Sequence, residues 1–247
     1  MFNRAWCIER SLISAELFLA NTSGEIVVVD DGSDDDSVAK VKNYIKKNRC
    51  VSIRLVELPM NLGVCAAKNV GARLAYGEWI VFLDSDDELI TESANSVCMA
   101  LKKNPDFPLH FFRCVSEFDK VPHESDRYRL LGLNELILDG TNGEALPVVR
   151  ADICKRFPYD EDIRGYEGLT YLRIIALGSK ALLQSIVARR YYTNHEDRLS
   201  SNKGVKHRNS DLFKGHVRVL REFWYELSTA ALVKQCLRCV KAFFRIS

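Results

Sequence analysis

The stretch EWIVFLDSDDEL, residues 78–89, decides the fold: Trp79 to Leu83 is uninterrupted apolar sequence, and Asp84, Asp86 and Asp87 follow at once. A short apolar run of this kind, bounded by polar turn residues, reads as a buried strand. A buried strand that ends in three carboxylates needs a cause. Like charges gathered at one edge repel each other unless water or a cation screens them.

Working outward, EIVVVDDGS from Glu25 reads as a second buried strand, ending in Asp30 and Asp31. DDDSVAKVKNYIKK follows with acids first and lysines last, as a helix dipole favours, and with Val38, Val41 and Ile45 on one face. VSIRLVEL from Val51 reads as a strand, Val64 to Ala75 as a helix stopped by Gly77, and Ile8, Leu12, Ala15 and Leu19 recur at helical spacing. This alternation predicts an α/β fold with a mostly parallel, doubly wound sheet flanked by helices. Ligands of such sheets bind beyond the carboxyl ends of the strands, so Asp30 and Asp31 should share an edge with Asp84, Asp86 and Asp87.

After Leu101 the pattern loosens. A strand is expected in FPLHFFRCVSEF from Phe107, polar loop from Ser116 to Gly132, a helix in GYEGLTYLRIIALG from Gly165, and a strand in LLQSIVARRYYT from Leu182. With 247 residues, 47% of them hydrophobic, the chain can bury one sizeable core. Its eight cysteines show no paired framework, and Cys236 and Cys239, spaced C-x-x-C, have no second pair, so they read as packing residues in a reducing, cytoplasmic compartment. No leader pattern and no membrane-length apolar run is present. From Ser201 onward ten Lys or Arg face three acids, a basic end on an otherwise acidic chain.

A divalent cation, Mg²⁺ or Mn²⁺, is the natural companion of such an acidic edge, because one or two carboxylates leave it positions for phosphate oxygens. Any single Asp here reads equally well as a turn or cap residue; two acidic strand ends together favour the cation. The residues EIVVVDDGSDDDS and NLGVCAAKNVGARLAYGEWIVFLDSDDEL resemble the nucleotide-binding half of family 2 glycosyltransferases, which have the GT-A fold. The resemblance implies a catalytic domain over residues 1–200, with a nucleotide-binding half (1–105) and an acceptor half (106–200), before a basic helical tail (201–247). It implies a nucleotide-diphospho-sugar donor, usually with uracil as base, and inversion at the transferred sugar.

Position by position, Asp31 would meet the base while Asp30 supports its turn, and Asp84, Asp86 and Asp87 would meet ribose, metal and diphosphate. Lys68 would face the nucleotide, or else be a solvated helix lysine. Gly71 and Ala67 read as packing residues. Glu167, six residues before Arg173, takes the position of the catalytic carboxylate, one methylene longer than the usual Asp; as a helix-starting acid it could serve the dipole instead. Asp160 and Asp162 compete with it. His195, in NHEDRLSS, resembles a histidine that approaches metal or diphosphate, with a surface loop residue as the other reading.

Two features extend or strain the resemblance. Family members open on a strand of which Met1-Phe2-Asn3-Arg4 matches only the last residues, so a truncated or misassigned start and weak stability are expected. ALVKQCLRCVKAFFRIS places Leu232, Val233, Leu237, Val240, Phe243 and Phe244 among four cations, which suits either packing on the domain or peripheral contact with the inner face of a membrane and a lipid-linked acceptor. A saccharide acceptor fits equally, and nucleic acid is not expected. The rival functions are a nucleotidyltransferase on a related sheet, for which a phosphate-gripping Gly-rich loop is not evident, and a noncatalytic nucleotide-sugar binder.

Overall fold

A computed structural model describes residues 1–20, 22–48, 51–122, 127–193 and 209–245. In chain order the elements are α1 (Ile8–Leu19), β1 (Glu25–Asp30), α2 (Ser37–Lys47), β2 (Ser52–Glu57), α3 (Val64–Leu74), β3 (Trp79–Val81), β4 (Glu88–Leu89), α4 (Ala94–Lys103), β5 (Leu109–Ser116), β6 (Tyr128–Leu131), α5 (Leu133–Leu138), β7 (Ala145–Arg150), α6 (Ala151–Arg156), α7 (Gly168–Ala176), β8 (Ala181–Tyr191), α8 (Asn209–Phe223) and α9 (Thr229–Phe243).

The strands form two sheets. β1 and β2 pair in parallel, Glu25 opposite Ser52 through Asp30 opposite Glu57. The second sheet has six strands in the order β3-β7-β5-β8-β4, with β6 also on β8. Only β5/β8 is parallel in it; β3/β7, β5/β7, β4/β8 and β6/β8 are antiparallel. The α/β architecture therefore holds, but the expectation of a mostly parallel sheet is corrected to a mixed one. The reason is the second half of the chain, where β7 and β6 return beside strands already laid down.

Period-two alternation divides β5 between two cores. Phe111 packs with Val149 and Leu183 toward Ala72 of α3, Cys154 of α6 and Ile174 of α7. Phe112 packs with Leu146, Val148, Ile186 and Ala188 toward Phe18 of α1 and Val97 of α4. The result is three layers, helix, sheet, helix. β6 falls inside the segment expected to be loop, and its Leu131 is fully buried. β7 contains Pro147, which stands one residue beyond the stretch that β3 pairs, so a proline with no N–H to donate sits where the strand is locally an edge.

Of the basic tail, residues 209–245 are described, and there α8 and α9 pack on the rest of the chain. Val219 and Phe223 of α8 and Ala231 of α9 join Leu169 and Leu172 of α7 and Ile137 of α5 in one cluster. Gly215 is required there, since a Cβ would stand 2.5 Å from the Tyr166 ring. The opposite face of α9 stays exposed at Val233, Leu237, Val240, Phe243 and Phe244. Among the described residues no helix is long and apolar enough to cross a membrane.

Candidate active site

The ends of β1 and β3 deliver their acids to one cleft, joined by a single cavity lined by Asp31, Lys68, Asp84, Asp86, Asp87 and Glu167. At the end of β1, Asp30 is buried and turned back on its own chain: Oδ1 accepts from the Ser33 hydroxyl at 2.5 Å and Oδ2 from the Ser33 N–H at 3.0 Å. Asp31 is 4% exposed and accepts the N–H groups of Leu62 at 2.8 Å and Gly63 at 2.9 Å. It thereby fixes the loop that enters α3. Gly32, directly after Asp31, has φ +73°, and a Cβ there would stand 2.7 Å from the Met60 backbone, so only glycine fits this turn.

The second acidic tip is a turn. The Asp87 N–H donates to the Asp84 carbonyl at 3.0 Å, and β4 then pairs with β8, Leu89 opposite Arg189. That register brings the Arg189 guanidinium, 6% exposed, among the acids: 3.6 Å from Asp84, 3.4 Å from Asp87 and 3.2 Å from Glu144. Asp86 lies on the other side, 3.9 Å from Arg4, while its backbone carbonyl accepts from Arg10 at 2.6 Å. Asp84 is the most open of the three, with 45% of its side chain exposed. The positive charge of Lys68 holds its carboxyl below the usual range against the effect of burial, with Arg189 adding to the same effect. Asp87 behaves oppositely. Burial pushes its pKa up to about 7, against the pull of Arg189 and with the charges of Asp84 and Asp86 reinforcing the rise.

Lys68 is no solvated helix lysine. Its ammonium lies 3.4 Å from Asp84 and donates to Glu167 Oε1 at 3.2 Å, bridging the donor-side acids and the carboxylate at the start of α7. Burial works against its charge, yet Asp84 and then Glu167 outweigh it and keep the amine protonated well above the ordinary lysine range. Neighbouring Asn69 ties the same helix to the other half: its Nδ2 donates to the Tyr159 carbonyl and Glu161, both at 2.9 Å, and its Oδ1 accepts the Tyr159 N–H at 2.8 Å. Gly71 faces Val29 of β1, where an added Cβ would make only ordinary contact, so this position does not demand glycine.

Glu167 stands at the N-cap of α7, but its side chain makes no capping hydrogen bond and points to Lys68 instead. The competing carboxylates are engaged elsewhere. Arg173 grips Asp160 with two bonds of 3.0 Å and also holds Glu222 of α8; Arg218 holds Asp162 at 2.8 and 3.1 Å. The spacing of Glu167 to Arg173 thus marks the clamp that positions α7 on α8, one helical face away from the cleft. Beside Glu167, the Tyr166 hydroxyl meets His216 Nδ1 at 2.6 Å, and Gln235 of α9 donates to the same histidine at 3.1 Å. His195 lies outside the described residues.

Sequence reasoning missed Arg189, Arg4 and Arg10. Arg189 carries a signal that could have found it, a charge closing the apolar run LLQSIVA, where an unpaired cation would be costly to bury. Among the described residues no three His, Cys, Asp or Glu side chains converge as a metal site. Mg²⁺ and Mn²⁺ need fewer: one or two hard carboxylate oxygens suffice when phosphate and water complete the shell, and Asp84, the most open acid of the turn, and Asp86 both carry that donor chemistry.

Over 229 residues the chain is 26% identical to the UDP-Glc:alpha-D-GlcNAc-diphosphoundecaprenol beta-1,3-glucosyltransferase WfaP of Escherichia coli, covering 86% of this chain and 84% of that one. It is 26% identical to the GalNAc(5)-diNAcBac-PP-undecaprenol beta-1,3-glucosyltransferase of Campylobacter jejuni, covering 61% of this chain and 50% of the relative. An uncharacterized glycosyltransferase of Haemophilus influenzae is 43% identical over 63 residues, 26% of this chain; the chain covers only 24% of that relative's length. The crystal structure of S. aureus TarS 1-349 in complex with UDP-GlcNAc superposes with a TM-score of 0.72 at 18% identity, over 100% of this chain and 71% of TarS, which establishes the GT-A fold. The model of glycosyl transferase family 2 matches residues 1–151, and the chain belongs to that family.

Proposed function

We propose that this chain transfers a sugar from a UDP-sugar to a hydroxyl group of a lipid-linked saccharide, inverting the anomeric carbon. The observation that carries the reading is Lys68, which draws Asp84 of the donor side and Glu167 of the acceptor side to the two flanks of one cleft. Support for the substrate classes comes from the two relatives named for diphosphoundecaprenol and PP-undecaprenol substrates, and from TarS with UDP-GlcNAc.

In this reading Asp30 and Asp31 shape the base pocket, Asp84 and Lys68 meet the ribose and diphosphate, and Asp86 with Asp84 offers oxygens to Mg²⁺ or Mn²⁺. Asp87, held against Arg189 and 6% exposed, orders the turn from behind. A bound cation would stabilise the charge that grows on the departing diphosphate. Glu167 accepts the acceptor's proton as its oxygen bonds to the anomeric carbon and the bond to phosphate breaks on the opposite face. Lys68 sets the distance between these two events, since it touches both carboxylates.

The exposed face of α9 fits peripheral contact with the cytoplasmic face of a membrane. Val233, Leu237, Val240 and Phe244 recur at helical spacing, Arg238, Lys241 and Arg245 accompany them, and residues 228–245 hold no acid. The buried face of the same helix reaches Tyr166, next to Glu167, through Gln235, so contact there would bring the cleft to the lipid.

The decisive experiment is a nucleotide-sugar panel with an undecaprenyl-diphosphate saccharide, with and without Mn²⁺ or Mg²⁺, read by nucleoside-diphosphate release. Release with a UDP-sugar, enhanced by the metal, is expected. Tight UDP-sugar binding without release under any condition would make the chain a binder and end the transferase reading. Sedimentation with anionic vesicles, lost in Leu237→Asp, tests the membrane contact separately.

A further inference from the structure

The acceptor side of the cleft carries two cations that no carboxylate balances. Arg164, on the loop that enters α7, and Arg238, on α9, both line the cavity together with Tyr166, Glu167 and Gln235. The acids of this region are already taken. Lys68 holds Glu167, Arg173 holds Asp160 and Glu222, Arg218 holds Asp160 and Asp162, and Glu161 accepts from Asn69. Among the described residues neither Arg164 nor Arg238 forms an ion pair, and residues 228–245 hold no acid. A guanidinium that faces a cleft without a counter-ion is the complement of an anion, and its planar fork of N–H groups matches phosphate oxygens.

Arg238 is positioned by the fold. Its guanidinium donates to Oε1 of Gln235 at 3.4 Å. Gln235, 1% exposed, is fixed in turn, since its Nε2 donates to the His216 carbonyl at 3.1 Å and to the Tyr166 hydroxyl at 3.4 Å. Tyr166 precedes Glu167, so two side-chain contacts join Arg238 to the neighbour of the candidate base. The charge is felt there: burial pushes the Tyr166 hydroxyl up to about 12, against the Gln235 bond and against Arg238.

The helix that carries Arg238 bears two parallel stripes. Lys234, Arg238, Lys241 and Arg245 recur at i, i+4, i+7 and i+11, and the exposed apolar residues Val233, Leu237, Val240 and Phe244 repeat the same spacing one position earlier. The basic stripe therefore runs between the apolar stripe and the buried Ala231, Gln235, Cys239 and Ala242. Lys234 at its head is engaged by the Leu138 carbonyl, and Arg238 is the member that lines the cavity. A ligand with phosphate in the cleft and hydrocarbon along α9 fits both stripes.

We propose that Arg238 and Arg164 form a site for the diphosphate of a prenyl-diphosphate-linked acceptor, whose sugar lies beside Glu167 and whose hydrocarbon leaves along the apolar stripe of α9. That the diphosphate belongs to an acceptor rests on the transferase reading; the site itself rests on the two uncompensated guanidinium groups.

Calorimetric titration with farnesyl diphosphate, with UDP added to occupy the donor side, reads the site without turnover. The full chain should bind it, and should bind farnesol at least about tenfold more weakly. Arg238→Gln and Arg164→Gln should each weaken the diphosphate about tenfold, the loss expected for a charge-assisted hydrogen bond. Arg164 is exposed, so its variant decides the question even where Arg238→Gln does not fold. Equal affinity for farnesol, or unchanged affinity in either variant, would overturn the proposal. Sedimentation with phosphatidylglycerol vesicles separates the other source of phosphate: a loss there in Arg238→Gln, with farnesyl diphosphate affinity intact, would assign the guanidinium to lipid headgroups and overturn it too. Turnover is a separate arm. Diphosphate binding without nucleoside-diphosphate release from any UDP-sugar would end the transferase reading and leave the site standing, whereas release with the acceptor KM unchanged in both variants would remove the site and leave the transferase reading intact.

Discussion

The two sheets of this molecule are built to different standards. In the six-stranded sheet Leu109, Phe112, Val148, Leu182 and Ala188 are wholly buried, with helices on both faces. The β1–β2 ribbon is thin: β2 has no buried residue, and β1 owes its burial to α1, α2 and α3. Two strands alone are marginal in water. Yet the acids are divided between the two bodies, Asp30 and Asp31 on the ribbon and Asp84 to Asp87 on the large sheet. The lesson is that α3 couples them: Asp31 fixes its entry, Lys68 reaches Asp84 and Glu167, and Asn69 holds Tyr159.

The sharpest way to separate the two bodies is through chemistry. Glu167→Gln, on the large body, should lower kcat by about 10²–10⁴-fold, the usual contribution of a general base, and leave the KM for donor nearly unchanged. Asp31→Asn, on the ribbon, weakens the bonds to Leu62 and Gly63 and should act mainly on the donor KM. Initial rates of nucleoside-diphosphate release measure both. Unchanged kcat in Glu167→Gln would transfer the base to Asp160 or Asp162, whose arginine partners would then have to release them.

Stability should divide in the same way. Phe112→Ala removes a large, fully buried side chain from the centre of the large sheet and should cost about 3–5 kcal/mol of global unfolding free energy in urea. Leu55→Ala, on the half-buried β2, should cost about 1 kcal/mol and speed hydrogen exchange in β1 and β2 alone. Equal losses from the two substitutions would show that ribbon and sheet unfold as one unit and would remove the distinction.

The sequence showed the elements whose signal is local. Apolar runs ending in Asp located β1 and β3, helical periods located α1, α2, α3 and α7, and the strand-end rule brought Asp31 and Asp84 into one cleft. Direction of pairing was illegible, because β7 and β6 take their places through long-range contacts that no short window records. Pro147 and the polar surroundings of β6 argued locally against strands that tertiary packing enforces. Lys68 illustrates the middle case: its residue type and helix were legible, while the bond to Glu167, 99 positions away, depended on how the two halves dock. Arg189 was hidden for the same reason, since Asp84 and Asp87 lie on a turn far earlier in the chain and Glu144 precedes another strand.

A slope rather than a single loss probes the quality of the large sheet's interior by pH. His110 of β5 is wholly buried against Trp79, and burial lowers its pKa to about 4 from the ordinary 6.5. His216 on α8 is lowered to about 4 as well, by burial first and by Arg238 second. Between pH 6.5 and 4 the unfolded chain therefore binds more protons at these sites than the folded one. Their contribution to stability is complete above pH 6.5 and is lost as pH falls toward 4, by up to about 1.4 kcal/mol per pH unit for each proton. His110→Phe should remove one proton from that slope, measured as the urea stability of both chains at intervals across this window. A slope that His110→Phe leaves intact would mean that the large sheet admits a proton, and with it water, at its centre, and that its interior is no tighter than the ribbon beside it.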